Sequence, residues 1–139
     1  MKNKIKVSFD FDSTLTTDTV QEFAKSLIDS GLVEVHIVTS RFSICDNSGN
    51  NVNNKDLFEI SEELKIDYCF IHFCEMRNKS QFFKHNPGFL WHLDDDRIEL
   101  DFIRQENLDV FPILRSYTND WLNMCSDLIR IKSKLNNIN

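Results

Sequence analysis

Five short apolar runs, alternating with segments of a different period, limit this chain to very few architectures. In the first run Ile5, Val7, Phe9 and Phe11 alternate with Lys6, Ser8, Asp10 and Asp12, the period of two that a strand requires. Val20, Phe23, Ala24, Leu27 and Ile28 then recur at helical spacing as far as Gly31, the stripe of an amphipathic helix. Further strands are predicted at Leu32 to Val38, Asp67 to Phe73, Phe89 to Leu93 and Val110 to Leu114. Between them Leu57, Ile60 and Leu64 mark one helix. Lys79 to His85 marks a short helix closed by Pro87-Gly88, and Ile98, Phe102 and Ile103 mark another. Trp121, Met124, Cys125, Leu128 and Ile129 share the core face of a final helix, and Asn136 to Asn139 are expected to fray. The polar stretch Asp46 to Asn54 reads as a loop or irregular hairpin.

Strands alternating with helices at this spacing predict an α/β fold: a Rossmann-like three-layer sandwich, with a mostly parallel five-stranded sheet and helices on both faces. A length of 139 residues fits one domain, 1–139, with its core at about 5–115 and a C-terminal helix at about 118–135. At 41% hydrophobic and 27% charged, with 12 Phe, the chain can fill a core and falls outside the disordered class. The basic start Met-Lys-Asn-Lys-Ile-Lys has no apolar run behind it, and no stretch approaches the ~18 apolar residues of a membrane span. A cytoplasmic protein with no membrane partner is expected. Cys45, Cys69, Cys74 and Cys125 form no C-x-x-C pair, which speaks for reduced thiols. His72-x-Cys74 and His92 lack a second pair at ligand spacing, so zinc is not expected.

In parallel α/β sheets ligands bind beyond the carboxyl ends of the strands, near a switch in strand order. Three of the predicted strand ends carry unusual polar residues: Asp10 and Asp12, Thr39-Ser40-Arg41, and Asp94-Asp95-Asp96. Asp10 and Asp12 are two apart, so in an extended segment both carboxylates leave the same side of the chain. If Asp94 and Asp95 approach from a neighbouring strand, each close pair repels by roughly 4 kcal/mol at about 4 Å and an effective dielectric near 20. Such a cluster needs a cation. Oxygen donors without His or Cys nearby in sequence suit Mg²⁺, which takes one or two carboxylates together with waters and a substrate phosphate. A phosphorylated substrate is therefore expected.

These residues also carry a resemblance. Asp10-Phe11-Asp12-Ser13-Thr14-Leu15-Thr16 resembles the D-x-D-x-T-[LV]-[TS] first motif of the haloacid dehalogenase (HAD) superfamily of phosphatases. Ile37-Val38-Thr39-Ser40 is similar to its second motif, Lys79 before the fourth strand to its third, and Leu93-Asp94-Asp95 to its fourth. The four occur in family order over residues 5–115. Ser13 departs from a position that is often Gly in the family.

The resemblance implies a role for each of these residues. Asp10 would be the nucleophile that forms an aspartyl-phosphate, and Asp12 the acid and then the base, with its backbone carbonyl on Mg²⁺. Thr39 would bond a phosphoryl oxygen, Ser40 and Arg41 would contact the substrate, and Lys79 would neutralise the phosphoryl group and Asp10. Asp94 with Asp95 would complete the metal shell. The acidic run also admits the register Asp95-Asp96, but Asp94 directly follows the apolar strand and Asp96-Arg97 then opens a helix.

Only 24 residues separate Thr14 from Thr39, and 39 separate Thr39 from Lys79, too few for the cap domain that family members acting on small metabolites usually insert. A capless member with an open site is expected to take a large substrate, a nucleic-acid end or a phosphoprotein. Arg41 and the acidic run also resemble the 3′-phosphatase domain of polynucleotide kinase-phosphatases, which adds nucleic-acid 3′ ends and nucleotides to the candidate substrates. A third alternative is a HAD-like phosphate-binding or regulatory module without turnover.

The net charge of −6 speaks against broad adhesion to nucleic acid. Five of the 22 acids lie in the two acidic motifs, and the remaining 17 nearly balance the 16 basic residues. The acidic total thus describes a local site and leaves the rest of the surface near neutral.

Overall fold

In the computed structural model, which describes residues 3–138, the alternating first run forms β1 (Ile5–Phe9). It is followed by α1 (Asp18–Asp29), β2 (Val33–Thr39) and α2 (Lys55–Leu64). The chain continues through β3 (Ile71–Phe73), α3 (Lys79–His85), β4 (Phe89–Asp94), α4 (Arg97–Gln105), β5 (Phe111–Leu114) and α5 (Asp120–Ile138). The five strands form one sheet in the order β3-β2-β1-β4-β5, and every pairing is parallel. The chain therefore winds outward from β1 through β2 to β3, returns across the sheet, and winds the other way from β4 to β5. β1 and β4 flank the switch point.

Side-chain alternation divides the interior into two layers. Val7, Phe9, Val35, Ile37, Trp91 and Leu93 pack with Val20 and Ala24 of α1, Leu57 and Leu64 of α2, and Trp121 and Cys125 of α5. On the opposite face Val38 and Phe89 pack with Phe83 of α3, Leu100 and Ile103 of α4, and Val110. The Phe23 ring of α1 meets Phe9 of β1 edge-on (centroids 6.3 Å) and stacks on Trp91 of β4 (6.2 Å), which ties that helix to the sheet, and it meets Trp121 of α5 edge-on (5.8 Å).

Four local expectations need correction. The third strand is confined to Ile71–Phe73, because Tyr68–Phe70 turn tightly, with Phe70 N–H donating to Asp67 O, and β2 offers pairing only from Ile37 to Thr39. On α4 the buried pair is Leu100 and Ile103, whereas Ile98 and Phe102 face solvent, since the side toward the sheet is selected by the crossing from β4 to β5. Met124 is likewise exposed on α5, although Trp121 and Cys125 are buried. Finally, α5 continues through Asn136 to Ile138 rather than fraying, while Asn139 lies outside the described residues. The stretch after Arg41 is an irregular hairpin closed by an isolated bridge between Cys45 and Asn51.

The connections from β1 to β2 and from β2 to α3 hold only these elements, and no inserted domain stands over the strand ends among the described residues. No helix among the described residues is long and apolar enough to cross a membrane.

Candidate active site

The parallel pairing of β1 with β4 brings their carboxyl ends side by side, and Asp10 N–H extends the pairing by donating to Leu93 O at 2.8 Å. Asp10 leaves β1 on the face shared by Ser8, and Asp94 closes β4 on the face shared by His92, as the alternation of a strand dictates. Both carboxylates are thus buried at the switch point, Asp94 completely.

Lys79 reaches them from the first turn of α3. The loop before that helix is held to the end of β2 by Cys74 N–H donating to Thr39 O and Met76 N–H donating to Ser40 O, at 2.7 and 2.8 Å. The backbone N–H of Lys79 donates to Glu99 Oε2 of α4 at 2.8 Å. So anchored, the Lys79 ammonium, 1% exposed, stands 2.7 Å from Asp10 Oδ1 and 2.6 Å from Asp94 Oδ2.

Two carboxylates thus share one cation. Burial drives the Asp10 carboxyl above the usual carboxylate range, with Lys79 opposing and Asp94 and Asp95 reinforcing the shift. Burial also acts on Asp94, but the hydrogen bonds of His92 and Lys79 and the charge of Lys79 outweigh it and hold that carboxyl well below the usual range. For Lys79, burial favours the neutral amine, and the two carboxylates overcome it to hold the ammonium firmly charged.

The acidic run after β4 divides its duties. Asp96 caps α4, its side chain accepting from Ile98 N–H at 3.0 Å and more distantly from Glu99 N–H. Asp95 stays exposed and receives a long 3.4 Å contact from the Thr14 hydroxyl, which lies equally far from Asp10 Oδ2. Asp10, Asp94 and Asp95 each offer an oxygen within 4.8 Å of the others. Clustered carboxylate oxygens are the hard donors that Mg²⁺ takes. An all-carboxylate donor set, two of its members buried, fits this ion and favours Asp94-Asp95 over Asp95-Asp96.

Asp12 is placed differently from the sequence expectation. Beyond β1 the chain makes a wide turn in which Ser13 takes φ +60°, the left-handed region that favours glycine. Leu15 N–H donates back to Asp10 O and Thr16 N–H to Phe11 O. This bend separates the Asp12 carboxylate from the Asp10–Asp94–Asp95 group and gives it to Arg41, which donates from Nε at 3.0 Å and from Nη2 at 2.7 Å. The same guanidinium holds Asp56 of α2 at 2.7 and 2.9 Å and lies over the Phe11 ring. Arg41, expected as a substrate contact, is therefore committed to two carboxylates.

Thr39 is fully buried, and its hydroxyl accepts Arg41 N–H at 3.2 Å. Its neighbour Ser40 enters the wall of a cavity of about 570 Å³, together with Asp10, Asp12, Ser13, Lys79, Asp94, Asp95, Asp96, Arg97 and Ile98. The sequence motifs thus gather at one cavity, with Thr39 behind its wall and Arg41 beside it.

Asp56, Glu99 and His92 were missed as supports of the site. Only His92 had a legible signal: a polar side chain two positions before Asp94 in an otherwise apolar strand. His72 pairs through Nε2 with His36 Nδ1 at 2.9 Å. Neither a protein-family model nor a curated protein matches the chain.

Proposed function

We propose that the chain is a Mg²⁺-dependent phosphatase that hydrolyses a phosphomonoester through a covalent aspartyl-phosphate on Asp10. The observation that carries this reading is the Lys79 ammonium set between Asp10 and Asp94 at 2.7 and 2.6 Å, beside Asp95, at the switch point of a parallel sheet. Its support is chemical: a buried carboxylate beside a fixed cation and a further acid pair is suited to receive a phosphoryl group and stabilise its charge.

Asp10 Oδ2, whose hydrogen bond is only the 3.4 Å contact from Thr14, is the oxygen free to attack phosphorus. The Oδ2–P bond forms as the P–O bond to the leaving group breaks, and Asp12 gives the departing oxygen its proton. Water then attacks the aspartyl-phosphate, Asp12 takes a proton from it, and phosphate leaves with Asp10 restored. Asp10, Asp94 and Asp95, with the Asp12 carbonyl, would hold Mg²⁺, which would supply further neutralisation of phosphoryl charge. Lys79 holds Asp10 in place and offsets its charge, and Ser40, which lines the cavity, would contact the substrate.

An open cavity without an inserted domain favours a large substrate, a nucleic-acid end or a phosphoprotein, over a small metabolite. The nucleic-acid version loses its original carrier, since Arg41 is engaged by Asp12 and Asp56. Hydrolysis of p-nitrophenyl phosphate tests the reaction: turnover is expected with Mg²⁺, and loss of turnover on chelation and in Asp10→Asn. Activity surviving either change sinks the mechanism, and a chain that binds Mg²⁺ but turns over no phosphoester is a phosphate-binding module instead. Parallel assays with a 3′-phosphorylated oligonucleotide, a nucleoside monophosphate and a phosphopeptide select the substrate class.

A further inference from the structure

His92 is completely buried between the two central strands, yet the proposed chemistry gives it no part. It precedes Asp94 by two positions on β4, so both side chains leave the strand on one face. Nε2 stands 2.8 Å from Asp94 Oδ2, and Nδ1 stands 2.8 Å from Ser8 Oγ on β1. The Phe83 ring packs against the imidazole at 5.1 Å between centroids. An ionised carboxylate can only accept a hydrogen bond, so Nε2 carries the hydrogen and Nδ1 accepts from the Ser8 hydroxyl. A neutral ring then satisfies both of its nitrogens.

This arrangement breaks the equivalence of the two carboxylates that share Lys79. Asp94 Oδ2 receives both Lys79 and His92, and Oδ1 receives Asp96 N–H at 3.0 Å. Asp10 has Lys79 on Oδ1 and only the long Thr14 contact on Oδ2. One carboxylate is pinned at three points; the other keeps an oxygen nearly free.

We infer that His92, backed by Ser8, is a positioning residue that locks Asp94 as the fixed metal ligand and so leaves Asp10 as the reacting carboxylate. This role rests on the proposed Mg²⁺ site, in which Oδ1 of Asp94 retains a lone pair beyond its bond to Asp96. Groups that hydrogen-bond a metal-ligating carboxylate govern its orientation, and their loss typically weakens metal binding by roughly 10- to 100-fold.

The test is Mg²⁺ affinity by titration calorimetry on the full chain without substrate, alongside melting temperature in chelator. His92→Phe fills the ring's volume without a donor, and His92→Gln returns an N–H near the Nε2 position. The Phe variant is expected to bind Mg²⁺ about tenfold more weakly, the Gln variant to recover most of the loss, and Ser8→Ala to lose about threefold. A merely structural role lowers the melting temperature in chelator without changing the affinity of the folded chain. Wild-type affinity in the Phe variant overturns the inference, as does an equal loss in the Phe and Gln variants. Should the Phe variant fail to fold, unchanged affinity in Ser8→Ala overturns it as well. Absence of Mg²⁺ binding in the wild-type chain instead overturns the proposed metal site itself, and this role with it.

Discussion

Lys79 and Asp94 meet at 2.6 Å with their side chains 1% and 0% exposed, so neither charge has water to fall back on. Removing one partner of such a pair leaves an uncompensated buried charge, which costs about 3–5 kcal/mol. Lys79→Met leaves Asp94 and Asp10 facing each other without a cation. It is expected to lower stability by that amount in urea denaturation and to abolish phosphatase turnover, with Mg²⁺ restoring part of the stability. A variant as stable as the wild type in chelator contradicts this account of the site.

The two aspartates that share Lys79 should respond differently to neutralisation. Burial lifts the Asp10 carboxyl above its usual range, so its charge opposes folding at neutral pH. Asp94 is held below the usual range, its charged form being the one the fold stabilises. Asp10→Asn should therefore leave stability within about 1 kcal/mol of wild type or raise it, while Asp94→Asn lowers it by about 2 kcal/mol or more. Equal losses in the two variants, measured by denaturant titration in chelator, contradict the asymmetry. Both are expected to be inactive, so stability carries the distinction.

The contrast between these aspartates marks what a sequence can and cannot convey. That Asp10 and Asp94 end two strands was legible, because alternation and apolar runs report strand ends directly. Their side-by-side placement was only a condition in the sequence, because a parallel sheet does not by itself make β1 and β4 neighbours; the strand order does. The face of α4 was not legible: Ile98, Leu100, Phe102 and Ile103 admit more than one apolar stripe, and only packing against the sheet selects Leu100 and Ile103. The partners of Arg41 were also hidden. Asp12 and Asp56 lie 29 and 15 positions away, and the bend at Ser13, which turns Asp12 toward them, overrides the same-side rule of an extended strand.

Arg41 should matter to turnover far more than to folding. Its ion pair with Asp12 is partly open, with side chains 22% and 58% exposed, and such pairs add only roughly 0.2–1 kcal/mol. In the proposed reaction, however, the fork fixes the group that transfers the proton. Arg41→Ala is expected to lower kcat for p-nitrophenyl phosphate by about tenfold or more, with a melting temperature close to wild type. Arg41→Lys should recover little, since one ammonium cannot reproduce two parallel hydrogen bonds. Asp56→Asn, which loosens the far side of the guanidinium, should have a smaller effect in the same direction. Full activity in Arg41→Ala would exclude Arg41 from the placement of Asp12.

Acid should weaken the fold through a pair of histidines remote from the cavity. His36 lies between Glu34 and His72, with Nε2 2.6 Å from Glu34 Oε2 and Nδ1 2.9 Å from His72 Nε2. Glu34 accepts from Nε2, so the neutral pair is satisfied when His72 donates to His36. Burial lowers the pKa of His36 against the pull of Glu34, and burial, His36 and Lys6 lower that of His72 to about 4. Both rings thus bind protons less readily folded than unfolded, where the ordinary value is near 6.5. Between about pH 6.5 and pH 4 the unfolded chain carries more protons, so stability present above that window is lost as the pH falls. The melting temperature is expected to drop by on the order of 5 °C from pH 7 to pH 5. His72→Phe, placed beside Phe82, should flatten that dependence by removing one of the two sites. A melting temperature that stays level over this interval, or a slope unchanged in His72→Phe, contradicts the assignment.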